Sequence, residues 1–352
     1  MNFILIIVVV CLAIMQPIAI ASESEDLRQA QKAYDAKDYQ KALKLLKPLV
    51  KNGNKQAELE LGTMYELGHG VPQDISRAME LYKRASVAKP TTQLSIHLTY
   101  TTQPENPQKQ FKIWQKQASQ GDSSAQNDLG YCYLKGIGTK PDYEQAQKWF
   151  NEAVKQNNDN AMVNLGFMYQ NGAFVSQDLN KAAKLYKDAS DKGNVVAKNN
   201  LGVMYVRGLA FTPDYNEAAK LFKEASDAGN VDALSNLGYL YQNGLGVDKD
   251  LSKAVRLYLK SAGYGNAAAR YNLGYLYQEG IGVKKNYAKA AKLYEMAAKD
   301  GYPEAQSCLG FMYQNGIGVP KDYKLALKYY KDRAKKQQAL DTPYSAMKGY
   351  GL

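Results

Sequence analysis

The sequence predicts an all-α fold, an α/α superhelical solenoid of about eight to nine helix-turn-helix units, on three observations. First, a Leu-Gly pair stands at 129–130, 165–166, 201–202, 237–238, 273–274 and 309–310, each step being 36 residues, with an earlier copy at Leu61-Gly62. Self-similarity at a fixed period of about 20–50 residues marks stacked repeats. Second, within one copy Ala161, Leu165, Gly166 and Tyr169 recur at i, i+4, i+5 and i+8. At about 100° per residue these share one helical stripe, and the alternation of a strand is absent. Third, Asn171-Gly172 and Gly193-Asn194 carry stop signals that divide each copy into two helices.

Taken in order, residues 1–21 read as a secretory signal peptide. Asn2 to Ser22 carries no charge, Phe3–Met15 is apolar, Gln16-Pro17 breaks the run, and Ala19-Ile20-Ala21 offers a cleavage site. No Lys or Arg precedes the apolar run, and the alternative is an uncleaved anchor. Residues 22–54 form an N-terminal capping helical pair through Ala30, Ala33, Tyr34, Asp38, Tyr39, Ala42, Leu45 and Leu46, a pattern similar to a plain tetratricopeptide unit. Residues 55–89 are a good copy. Residues 90–120 are a degenerate one: Ile96-His97 replaces Leu-Gly, Pro104 and Pro107 replace the glycine loop, and Phe111, Trp114 and Ala118 keep a second helix. This copy is either a bend or a worn unit without a special role. Six regular units of 36 residues fill 121–336, and a weakly patterned C-terminal tail occupies 337–352.

Inside a unit the repeated helical glycine costs about 1 kcal/mol of helix propensity against alanine, which predicts a second backbone in close approach. The connecting loop reads Gly-x-Gly-Val in most copies, as in Gly316-Ile-Gly318-Val319. Asp142, Asp178, Asp214, Asp250 and Asp322 then stand where they cap the second helix. That helix buries Ala182, Leu185, Tyr186 and Ala189. The full pattern, Ala-x-x-x-Leu-Gly-x-x-Tyr, Gly-x-Gly-Val, Asp-x-x-Lys-Ala and a closing Ala-x-x-x-Gly, resembles the Sel1-like repeat, a relative of the tetratricopeptide repeats with a longer loop. The resemblance covers roughly residues 55–336. It implies a superhelical protein-interaction scaffold and no enzymatic activity.

The net charge of +11 and 28 tyrosines bear on partners. Lys181, Lys184, Lys187, Lys220, Lys223, Lys289 and Lys292 are spaced along second helices. In superhelices of the tetratricopeptide type these helices form the outer wall, so this charge reads as a solvated back face and not a nucleic-acid site; anionic cell-surface polymers are the remaining partner of that charge. Cys132 and Cys308 lie in different units, too far apart for a disulfide. The cysteine-paired Sel1-like proteins are therefore a different subgroup. His69 and His97 are the only histidines, and no ligand cluster joins them, so no metal, cofactor or catalytic residue is expected. Ser86–Lys89 and Ser345–Lys348 match Ser-x-x-Lys, yet Lys-Thr-Gly and Ser-Asp-Asn are absent, which leaves β-lactam chemistry unsupported.

The candidate binding surface lies almost opposite the stripe of the first helix. Phe167, with Tyr131, Val203, Tyr239, Tyr275 and Phe311 in the other copies, forms an aromatic row. Asn164, Asn200, Asn236 and Asn272 flank it on one side, and Gln170, Gln242, Gln278 and Gln314 on the other. The resemblance puts the concave, ligand-facing groove at these positions. Aromatics cover apolar ligand surface, and amides satisfy backbone groups that binding strands. The alternative is that the aromatics pack against the next unit and the amides bond to neighbours. Val203 interrupts the row and Cys308 replaces the last Asn.

The functional expectation is an exported, monomeric, non-enzymatic adaptor, periplasmic or secreted, with no membrane span after cleavage. It binds a protein or peptide in that groove, and envelope assembly or host contact follows by resemblance alone. A glycan- or peptidoglycan-binding module using the aromatic row is the competing reading.

Overall fold

The computed structural model describes residues 25–86, 106–172 and 175–340. The signal peptide 1–21, residues 90–105 of the degenerate copy, and the tail beyond 340 lie outside the described residues. Among the described residues every regular element is an α-helix. They run as α1 (25–35) and α2 (Tyr39–Lys51), α3 (Lys55–Leu67) and α4 (Ile75–Ser86), then α5 (Pro107–Ser119). The regular units follow as α6 (Ser123–Lys135) with α7 (Tyr143–Lys155), α8 (Asp159–Asn171) with α9 (Leu179–Asp191), and α10 (Val195–Arg207) with α11 (Tyr215–Asp227). After them come α12 (Val231–Asn243) with α13 (Leu251–Gly263), α14 (Ala267–Glu279) with α15 (Tyr287–Lys299), and α16 (Pro303–Asn315) with α17 (Tyr323–Leu340).

These helices fall into two compact units. The first joins the N-terminal region up to Thr91 to Pro303–Gln338, and the second is built on Thr92–Tyr302.

Local signals define the helices. Asp142, Asp178, Asp214, Asp250 and Asp322 each accept a hydrogen bond from the backbone N–H three residues on, at 2.8–3.0 Å. Each such cap stabilises its helix by roughly 1 kcal/mol. First helices end where Gly136, Gly172, Gly208, Gly244 and Gly280 turn left-handed, a conformation that costs other residues more. Pro107, expected in a loop, opens α5 behind the cap Asn106, a position where its missing N–H is not needed. The last helix runs to Leu340, beyond the expected end of the repeat array at 336.

The helical glycine admits the aromatic ring of its own second helix, and at two copies the expected second backbone is there as well: an added Cβ would stand 3.2 Å from the Ala146 carbonyl oxygen at Gly130 and 3.4 Å from that of Ala254 at Gly238. A Cβ added at Gly62, Gly130, Gly166, Gly202, Gly238, Gly274 or Gly310 would meet the ring of Tyr82, Phe150, Tyr186, Phe222, Tyr258, Tyr294 or Tyr330 at 2.5–3.1 Å. All seven rings are buried. The glycine therefore sets the distance between paired helices, and the ring fills the space.

Units are also tied to one another. At α10 and α14 the capping Asn also uses its amide N–H to reach the preceding unit: Asn194 Nδ2 donates to Asp159 Oδ2 at 2.9 Å, and Asn266 Nδ2 to Asp232 Oδ1 at 2.7 Å. One side chain thus satisfies a helix end and fixes the neighbour's register.

The second helices are one-sided. Lys184, Lys187, Lys220, Lys223 and Lys292 are exposed, as a solvated face requires. Lys181, Lys253 and Lys289 do more, lying 5.1, 4.0 and 5.2 Å from the ring centroids of Tyr169, Tyr241 and Tyr277 and covering the seam between helices.

The glycine–ring contact gives a prediction with opposite signs at two sites. Gly202→Ala drives a methyl into the buried Phe222 ring, 2.7 Å away, and lowers stability by about 1–3 kcal/mol. Gly263→Ala, in α13 with nothing within 4 Å, raises it by a few tenths to about 1 kcal/mol through helix propensity. Thermal or urea unfolding of the two variants checks both signs.

Candidate functional site

The first helices α6, α8 and α10 differ from the second helices in being buried on nearly every side. In α8 the expected stripe of Ala161, Leu165 and Gly166 is inside, but so are Met162, Val163, Asn164, Phe167, Met168 and Gln170. A helix covered all round holds polar side chains only where they find partners.

In the first half of the second unit the proposed groove row is interior. Tyr131, Phe167 and Val203 share one apolar cluster with Phe150 and Phe222, and Phe167 has no exposed surface. Asn164, Asn200 and Asn236 are fully buried, and Gln170 nearly so. The structure therefore corrects the expectation of an open surface at Tyr131, Asn164, Phe167, Gln170, Asn200 and Asn236: neighbouring first helices approach closely enough to cover them.

The asparagine amides are spent on their neighbours, while Gln170 Oε1 is buried without a hydrogen-bond partner. Asn164 Nδ2 donates to Asn127 Oδ1 at 2.8 Å, and Asn236 Nδ2 to Asn199 Oδ1 at 2.8 Å. Asn127 in turn donates to Asp128, and Asn199 to Asn200. Both inter-unit bonds span 37 residues.

The same offset pairs Val163 with Asn200 and Ser235 with Asn272, and at neither step does the partner position carry an amide. Ser235 Oγ and Asn272 Nδ2 are both buried atoms without a hydrogen-bond partner. A hydroxymethyl group is shorter than a carboxamide, so the serine leaves the rung open.

Beside the open rung the row turns outward. Tyr239 and Asn272 are half-buried, and Tyr275 is 40 % exposed. Gln242 and Gln278, also half-buried, accept from Tyr258 Oη at 2.9 Å and Tyr294 Oη at 3.1 Å. They tether the buried rings of the second helices. In the other compact unit Phe311 is 45 % exposed, and half-buried Gln314 accepts from Tyr330 Oη at 3.1 Å. Column by column, the sequence contains the signal for the open rung, since Ser235, like Val163, breaks the partner column, and Asn200 opposite Val163 has a bond from the adjacent Asn199 that Asn272 has no counterpart for. It becomes readable only once the 37-residue pairing is known.

Among the described residues no group of three or more His, Cys, Asp or Glu side chains is placed to hold a metal. His69 bonds through Nδ1 to Tyr34 Oη at 2.9 Å and stacks on Tyr39, as a packed residue does. Cys132 and Cys308 are not joined in a disulfide, and burial, with Asp128 adding to it, pushes the Cys132 thiol up to about 12, away from the reactive thiolate. His97 and Ser345 lie outside the described residues. Burial alone pulls Lys135, whose ammonium lies over the Tyr131 ring, down to about 8.

Comparison with known proteins decides the family. The Sel1 repeat model matches residues 34–54, 55–86, 123–158, 159–194, 195–230, 231–263, 267–302 and 303–331. The chain belongs to the Sel1 repeat family. The matched segments take in most of the N-terminal pair read from sequence as a plain tetratricopeptide unit, and they omit residues 87–122. A Sel1 repeat protein of Oxalobacter formigenes is 26 % identical, with a TM-score of 0.57 over 65 % of this chain and 97 % of that one. A protective antigen of uropathogenic Escherichia coli with the same repeat fold is 28 % identical, with a TM-score of 0.46 over 92 % and 64 %. A search of curated proteins gave no match. Sel1 repeats commonly form protein-interaction scaffolds.

Two predictions follow from the interior row. Asn236→Ala strands the buried Asn199 amide and lowers stability by about 1–3 kcal/mol, and a double-mutant cycle with Asn199→Ala shows positive coupling in unfolding experiments. Lys135 binds fewer protons folded than unfolded between pH about 8 and its unperturbed 10.5, so its contribution to stability rises with pH across that window. Lys135→Met accordingly raises the melting temperature at pH 7, and the gain shrinks by pH 10.

Proposed function

We propose that this Sel1 repeat protein is an exported, non-enzymatic adaptor that binds an extended protein or peptide segment along α12 and α14. The observation that carries this reading is the open rung: buried, unpartnered Asn272 Nδ2 beside exposed Tyr275 and half-buried Tyr239. An unpartnered amide N–H costs about 1–3 kcal/mol when dry, a penalty that a peptide carbonyl removes. Tyrosine rings alongside supply rigid apolar contact with little rotamer entropy to lose. Earlier in the row Asn164, Asn200 and Asn236 bond within the Asn ladder, and Gln170, whose Oε1 is buried without a partner, is closed in with the aromatics, so the ligand-facing set narrows to Tyr239, Asn272 and Tyr275, with Phe311 a separate exposed aromatic in the other compact unit.

Export rests on the uncharged, apolar residues before Ser22, with the small-x-small site at Ala19-Ile20-Ala21, and places the adaptor in a periplasm or secreted space. No described helix is long and apolar enough to cross a membrane.

Affinity capture by residues 22–352 tests the reading against Tyr275→Ala and Asn272→Ala variants, with circular dichroism confirming that both stay helical. A partner held by the parent and lost at least tenfold by both variants is the expected result. A partner held equally by all three removes the open rung from consideration. A shift of tyrosine fluorescence on adding soluble glycan fragments, with no protein captured, favours the sugar-binding reading instead.

A further inference from the structure

In a stack of repeats each unit covers the open face of the one before, and the last unit needs a polar outer face. The chain departs from both expectations in its first compact unit. The face of the 55–86 repeat formed by Leu59, Ala78, Tyr82 and Ala85 packs in one buried cluster with Ala326, Leu327, Tyr330 and Ala334 of α17. By sequence order that face belongs to the degenerate copy, which the Sel1 repeat model does not match. Likewise the last repeat does not turn a polar face outward at these positions. Leu327 and Ala334 are buried against the first full repeat.

One residue singles out this pairing. At the position of Glu66 the six regular copies carry Leu134, Gln170, Val206, Gln242, Gln278 and Gln314, so the carboxylate is peculiar to the repeat that meets α17. Glu66 keeps the structural task of its glutamine counterparts, accepting from Tyr82 Oη at 2.7 Å as Gln242 accepts from Tyr258. The negative charge adds a second bond, from Lys331 Nζ at 2.5 Å, across 265 residues of sequence. The same ammonium lies 5.7 Å from the Tyr82 ring centroid. Alanines at 78, 85, 326 and 334 let the two helices approach, and the ion pair lies beside the apolar contact with both partners about one-quarter exposed.

We infer that the outer face of α3–α4 is a docking site selective for α17 of the same chain, with Glu66 as the determinant that chooses Lys331. The C-terminal repeat completes the N-terminal stack. Apolar burial supplies the contact, and the charge favours a second helix with Lys at this position, as α17 has in Lys331 and as α7, α13 and α15, with Asn151, Leu259 and Glu295, do not.

The experiment uses the full chain and two readouts. Carbodiimide, which joins only a carboxylate and an amine already in contact, is expected to yield a Glu66–Lys331 isopeptide in the monomer band, identified by peptide mass spectrometry. A link found only in the dimer band means that a second copy occupies the face, and no link at all means that the contact is not made; either result overturns the inference. In hydrogen exchange, Glu66→Lys and Lys331→Glu each speed exchange in α3–α4 by roughly fivefold, in line with a partly exposed ion pair. The double reversal brings it back to within about twofold of the parent. Exchange in the double variant as fast as the two single effects combined overturns the role of Glu66 even if the helices still touch.

Discussion

The contact on which the rest of this structure depends is the aromatic ring of each second helix lying over the glycine of its first helix. Removing the Cβ lets a phenyl or phenol ring sit within van der Waals reach of a helix backbone, as Phe222 does at Gly202 and Tyr294 at Gly274. That closeness fixes the geometry of the pair, and a pair of fixed geometry stacks on its copies with a constant step. The helix propensity given up at glycine, about 1 kcal/mol, is smaller than the roughly 1.5–3 kcal/mol gained by burying such a ring. The exchange is favourable in each unit and therefore repeats.

Close stacking has a second consequence, seen at the first helices. Once neighbouring pairs approach this tightly, α6, α8 and α10 are covered on their inner sides as well, and every polar group there needs a partner. Asn127 with Asn164, and Asn199 with Asn236, meet that need through inter-unit amide bonds. The repetition lapses at Ser235 opposite Asn272, where a shorter side chain leaves a donor without its acceptor, and the proposed binding site is placed there. Deviation at Glu66 works in the other direction. It converts a glutamine tether into a charged one and so distinguishes one repeat from its near-identical relatives.

Much of this was legible in the residues. The Leu-Gly period, the capping Asp at the head of each second helix and the left-handed glycines are local signals, readable because backbone conformation and caps depend on a few neighbours in sequence. The exposed lysines of the second helices were equally plain. The binding row was only partly legible. Helical phase located Phe167 away from its own second helix, but phase says nothing of what stands on that side.

What the sequence by itself determined was therefore the unit: two capped helices, a glycine between them and a stack of copies. Tertiary structure alone decided which faces of those helices remain open. Burial of Phe167, exposure of Tyr275, the orphaned Asn272 amide and the meeting of Glu66 with Lys331 all depend on residues one or more repeats distant. Periodicity is a property of a single helix, whereas exposure is set by whatever packs against it, and a repeating pattern spells every copy alike until a neighbour makes them different.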